Sequence, residues 1–138
     1  MIKTALQQYG VNKFWTKRLD EIFVGAGAND MHRGSNWCGI FMCYLARKNN
    51  LPYPEKFMTA RSWLGVGETV TEPVIGDIVV LWRETESSWK GHVGLYVSHL
   101  ESGDYIYVLG GNQSARRWVT VTKFPEYRVL GYRRLQHV

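Results

Sequence analysis

Three residues of this chain, Cys38, His92 and Asn112, have the types and the order that nucleophilic attack on an amide requires. A cysteine attacks as its thiolate. A histidine holds the thiol proton and later hands it to the departing amine. An asparagine carbonyl can accept the other ring N–H and so fix the tautomer. Cys38 opens the apolar run WCGIFMCYLARK, and the head of a helix favours a negative charge there. Cys43, among Phe41, Met42 and Tyr44, reads as a small buried hydrophobe. On a helix the two cysteines would stand about 140° apart, so no disulfide is expected between them. No Cys-x-x-Cys spacing exists, and neither metal nor cofactor is expected. His92 opens a strand between Gly91 and Val93, and Gly91 and Gly94 would let a substrate chain approach. Asn112 stands in Leu109-Gly110-Gly111-Asn112-Gln113, with Gln113 as the competing orienter.

The elements that must position these groups are legible in outline. Short helices are predicted over Ile2 to Gln8, Lys13 to Val24 and Phe57 to Leu64 from apolar periodicity and glycine stops. Trp37 to Lys48 is the strongest helix, apolar almost all round and therefore buried, with Ser35 or Asn36 as its N-cap. After Pro73 the chain turns to β-branched and aromatic runs: Asp77 to Trp82, Val93 to His99, Tyr105 to Leu109, Trp118 to Thr122 and Val129 to Arg133. Short turns between them imply antiparallel neighbours. Helices first and a meandering sheet afterwards is the α+β pattern. The 138 residues fit one domain, 1–138, and six Trp, eight Tyr and five Phe supply enough apolar area for a core without staples. Asp77, after Gly76, reads as a turn or capping residue; Trp63 and Trp82 read as core.

The formal charge of +5 draws polyanions (nucleic acid, anionic lipid, or wall polymers and carboxylate-rich peptides) or simply keeps the chain soluble. No stretch approaches the roughly 18 apolar residues of a membrane span. The opening ten residues have no signal-like apolar run, so synthesis in the cytoplasm is expected, with delivery by another route if the target lies outside.

Ser35-Asn36-Trp37-Cys38-Gly39-Ile40-Phe41 resembles the nucleophile motif of the CHAP-domain and NlpC-type cell-wall cysteine peptidases. Ile75-Gly76-Asp77-Ile78-Val79-Val80-Leu81 is similar to their "P-x-x-GDIVVF" strand, and Gly91-His92-Val93-Gly94-Leu95-Tyr96 to "GHVGFYV". Gly110-Gly111-Asn112-Gln113 and Val129-Leu130-Gly131-Tyr132 match a short phage and bacterial subgroup, so the likeness runs from about Leu19 to Leu135. It implies a papain-like fold, with the nucleophile helix packed on an antiparallel sheet of about five strands. It also implies a peptidoglycan hydrolase that cuts the N-acetylmuramoyl-L-alanine amide or a stem or cross-bridge peptide bond. Cys38 becomes the nucleophile, His92 the base and Asn112 the orienter, although many relatives carry a glutamate where this chain has Gly110. The Cys38 N–H, with Asn36 or His32, is expected to form an oxyanion hole. Asn36, Trp37, Trp89, Gln113 and Arg116 are the expected substrate contacts, Arg116 and Arg117 meeting wall carboxylates.

Such an enzyme would act as a phage-type lysin or an antibacterial effector. Its expected partner is peptidoglycan, with an immunity protein or secretion machinery in the effector case, and neither nucleic acid nor a second copy of the chain. The alternative is a basic, aromatic-rich module that binds wall without cutting it and needs no reactive thiol. A transferase would keep the chemistry and change the product.

Overall fold

The computed structural model describes residues 1–12, 14, 16–28 and 36–136. It is an α+β fold. Helices α1 (Ile2–Gln7), α2 (Thr16–Gly25) and α3 (Cys38–Lys48) precede six strands: β1 (Glu68–Val70), β2 (Ile78–Trp82), β3 (Gly91–His99), β4 (Tyr105–Gln113), β5 (Trp118–Pro125) and β6 (Val129–Arg134). The sheet runs in the order β1-β6-β2-β3-β4-β5, and every neighbouring pair is antiparallel. Sequence reasoning anticipated five strands. It missed β1, three residues with little apolar content that become a strand only by pairing with the end of β6. The helix expected over 57–64 is a 3₁₀ segment, Ala60–Gly65, in which Trp63 is buried and donates its indole N–H to the Phe57 carbonyl at 2.9 Å. No helix of the described residues is long and apolar enough to cross a membrane.

Alternation along the strands builds two apolar layers. Ile78, Val80, Val93, Leu95, Leu109 and Val119 join the helices in the larger core. Val79, Leu81, Tyr96, Ile106, Val108 and Tyr132 form a second cluster among themselves. Each fully buried aliphatic side chain contributes about 1.5–3 kcal/mol. Helix α3 is the centre of the larger core: every residue from Cys38 to Ala46 is buried. Glycines let its neighbours approach. A Cβ at Gly25 of α2 would lie 2.7 Å from the Tyr44 ring, and one at Gly111 of β4 would lie 2.6 Å from Trp37 and 2.8 Å from Phe41. At Gly39 an added Cβ would run into the Phe57 carbonyl.

Two local expectations change. Trp37, not Ser35 or Asn36, occupies the N-cap of α3, and among the described residues no side chain caps the helix. Ser35 lies outside the described residues, as does His32. Gly94 is not an opening for substrate: Val108, Leu109 and Gly110 fill the space where its side chain would stand. Asp77 has the turn role expected of it. It is buried, accepts the Val74 N–H at 2.8 Å and is gripped by two Arg134 nitrogens at 2.8 Å each.

Candidate active site

Cys38 is the first residue of α3, and its thiol lies within electrostatic range of the ring of His92, the second residue of β3. Burial alone would push this thiol up. The charge and hydrogen bond of His92, the Val93 N–H and the Arg83 guanidinium outweigh burial and bring it from 9.0 down to about 7. Cys43 lacks such partners: burial pushes it up to about 11, and its thiol points at the Ala26 carbonyl, 3.4 Å away. One thiol is shifted towards its ionised form and the other away from it.

The orientation of His92 follows from its neighbours. The Gln113 amide nitrogen donates to the carbonyls of Val108 at 3.0 Å and Thr120 at 2.7 Å. Those two bonds leave Oε1 facing His92 Nε2 at 2.8 Å, so Nε2 carries the proton. The lone pair then sits on Nδ1, the nitrogen available to take the thiol proton. Phe124 stacks on the ring at 5.1 Å between centroids and 25° between planes, which holds its tilt.

Gln113, and not Asn112, is therefore the orienter. The β3–β4 register (Leu95 opposite Leu109) would place Asn112 opposite His92 if it continued. It does not. The β4–β5 pairing slips by one residue between Gly110 and Gln113, and Asn112 takes a left-handed φ of 59°. Such a bulge inserts one residue and swaps the faces. Gly110 then matters for what it lacks, since a Cβ there would lie 2.6 Å from Gln113 Oε1. The displaced Asn112 accepts Arg117 Nε at 2.7 Å and donates to Asn36 Oδ1 at 3.5 Å, a carbonyl that also meets Arg117 Nη2 at 3.4 Å.

A cleft of about 200 Å³ opens above the sulfur, lined among others by Asn36, Cys38, Met58, Arg83, Trp89 and Gly91. Trp89, 72% exposed, stands in the β2–β3 loop. Arg61 fixes this loop by donating to the backbone carbonyls of Thr85 at 3.0 Å, Glu86 at 2.7 Å and Lys90 at 2.8 Å. Of the expected substrate contacts, Asn36 and Trp89 line the cleft. Trp37 does not: it is 1% exposed and packs edge-on against Phe41, because the residue before a buried helix is drawn into the core with it. Gln113 is spent on His92 and the backbone. Arg116 lies over the Trp118 ring at 5.5 Å and lines a different hollow with Asn12, Phe14 and Arg117. Sequence reasoning missed Arg83 and Arg61, since arginines flanking a turn carry no motif. Comparison of the chain with family models, curated proteins and solved structures finds no match.

A thiol of lowered pKa beside an imidazole of fixed tautomer, at the head of a helix and the mouth of a cleft, is chemically suited to acyl transfer from an amide.

Proposed function

We propose that this chain is a cysteine hydrolase with a papain-like core that cuts amide bonds in bacterial cell-wall peptides. The observation that carries the proposal is the Gln113 amide, whose two backbone bonds dictate the tautomer His92 needs to serve Cys38. The order of helix-borne thiol, strand-borne imidazole and strand-borne amide supports the papain-like reading, and the motif likeness around Cys38 and His92 supports the substrate class.

In the proposed reaction Sγ attacks the scissile carbonyl as its proton passes to His92 Nδ1. The C–N bond then breaks, the amine leaves with that proton, and water, deprotonated by His92, releases the acyl group. The oxyanion would be met by the Cys38 N–H, at the head of a helix that no described side chain caps, and by Asn36, whose carbonyl is already held by Asn112 and Arg117.

Digestion of purified peptidoglycan by wild type and Cys38→Ala, read by mass spectrometry, tests this. Fragments with new amine and carboxyl ends are expected from the wild type alone, with both proteins equally folded. Equal release by Cys38→Ala, or release of glycan fragments in place of peptide ends, would refute it.

A further inference from the structure

Among the described residues, three charged side chains line the cleft: Arg83, Glu84 and Lys90. Lys90 Nζ pairs with Glu84 Oε1 at 2.7 Å, so those two cancel. Arg83 is left over. It is half-buried, pairs with no carboxylate among the described residues, and its Nη2 lies 3.5 Å from His92 Nδ1. The other donors of its planar fork have no acceptor among the described residues, although a guanidinium withdrawn from water is stabilised by a bidentate anion. The backbone holds it in place: the Arg83 N–H reaches the Lys90 carbonyl at 3.4 Å, and the Thr85 N–H reaches the Arg83 carbonyl at 2.7 Å. Arg61 locks the rest of the loop.

We propose that Arg83 is a specificity-determining residue that binds a carboxylate carried by the substrate next to the scissile amide. The distance sets the position. Arg83 touches the same ring nitrogen that serves the sulfur, so a carboxylate on its fork falls within about one residue, some 3.8 Å of chain, of the attacked carbonyl. Trp89 and Met58 on the walls suit the apolar part of such a residue. The proposal rests on Cys38 being the cleft's nucleophile, and the test separates the two.

Iodoacetate and iodoacetamide differ only in whether a carboxylate or an amide sits beside the reacting carbon. With either, the Cys38 thiolate forms the C–S bond, the C–I bond breaks and iodide leaves. Both need the thiolate equally, so the ratio of their rates cancels any change in its population. The Arg83→Gln substitution should lower the iodoacetate-to-iodoacetamide ratio about tenfold, the worth of one charge-assisted hydrogen bond. Arg83→Lys, which keeps the charge without the fork and guards against misfolding of the first variant, should fall between. Lys48→Gln, at the other end of α3 about 15 Å away, should leave the ratio unchanged and so exclude a net-charge effect. Soluble wall peptides should also lose about tenfold in kcat/KM when their carboxylates are amidated by carbodiimide and ammonia, and Arg83→Gln should erase that difference. An unchanged ratio in Arg83→Gln overturns the Arg83 assignment while leaving the nucleophile standing. Failure of both reagents to label Cys38 overturns the nucleophile itself.

Discussion

Replacing Gln113 by leucine keeps the volume and removes three buried hydrogen bonds: those to Val108 O and Thr120 O, and the one from His92 Nε2. At about 1 kcal/mol net for each bond, and more where a buried partner is left unsatisfied, the loss is about 3 kcal/mol. For a domain of this size that lowers the melting temperature by roughly 10 °C. A well-packed polar side chain without a chemical role would cost the same, so stability alone decides nothing. The discriminating quantity is the thiol. With the Nε2 proton no longer claimed by Gln113, His92 loses its preference for the tautomer that serves Cys38. The pH midpoint of Cys38 alkylation should then rise from about 7 toward the ordinary 9.0. Turnover should fall by up to the roughly 10²–10⁴ that general acid–base catalysis contributes. Iodoacetamide labelling followed by mass spectrometry across pH 5–10, with calorimetry on the same samples, gives both readings. A lowered melting temperature with an unmoved alkylation midpoint would refute the orienting role and leave Gln113 as filler.

Three further outcomes are expected. Mild alkylation at pH 7.5 should add one label, on Cys38, because Cys43 is buried and held near 11; labelling of Cys43 would contradict this. The Cys38 thiol is an acid whose folded pKa lies below its ordinary value, so the folded state gains stability at high pH. The gain, about 2–3 kcal/mol for a shift from 9.0 to about 7, is fully present above 9 and lost as pH falls through 7. The melting-temperature difference between wild type and Cys38→Ala should therefore grow in favour of wild type from pH 6 to pH 9; a flat difference would show that the thiol is not ionised in the fold. Finally, Gly39→Ala should destabilise by about 1–3 kcal/mol and reduce turnover, since its methyl meets the Phe57 carbonyl, which is backbone and already bonded to Trp63. Unchanged unfolding and turnover in that variant would show that the 57–58 segment is free to give way.

Local chemistry made much of this protein legible from its residues alone. An apolar run of twelve residues is too long for most strands and reads as a buried helix, so α3 was clear, as was the placement of Cys38 at its head and Cys43 inside it. Alternating β-branched and aromatic runs marked five of the six strands, and the turn role of Asp77 followed from its place after Gly76. Pairing decided the rest. Strand β1 exists because β6 offers it an edge. Trp37 left the list of substrate contacts because its neighbours in the helix are buried. Gln113 displaced Asn112 because one extra residue in β4 exchanges the two faces of a strand, and no local preference in Gly-Gly-Asn-Gln announces where that residue will be inserted. Arg83 gained its position beside His92 from the β2–β3 register, which sets Leu81 opposite His92 and so brings Arg83, two residues further along, diagonally beside the ring, next to a loop that Arg61 holds from elsewhere in the chain. Residue types and periodicity determined which groups could react; only the tertiary register decided which of them meet, because a shift of one position in a strand turns a side chain through the sheet.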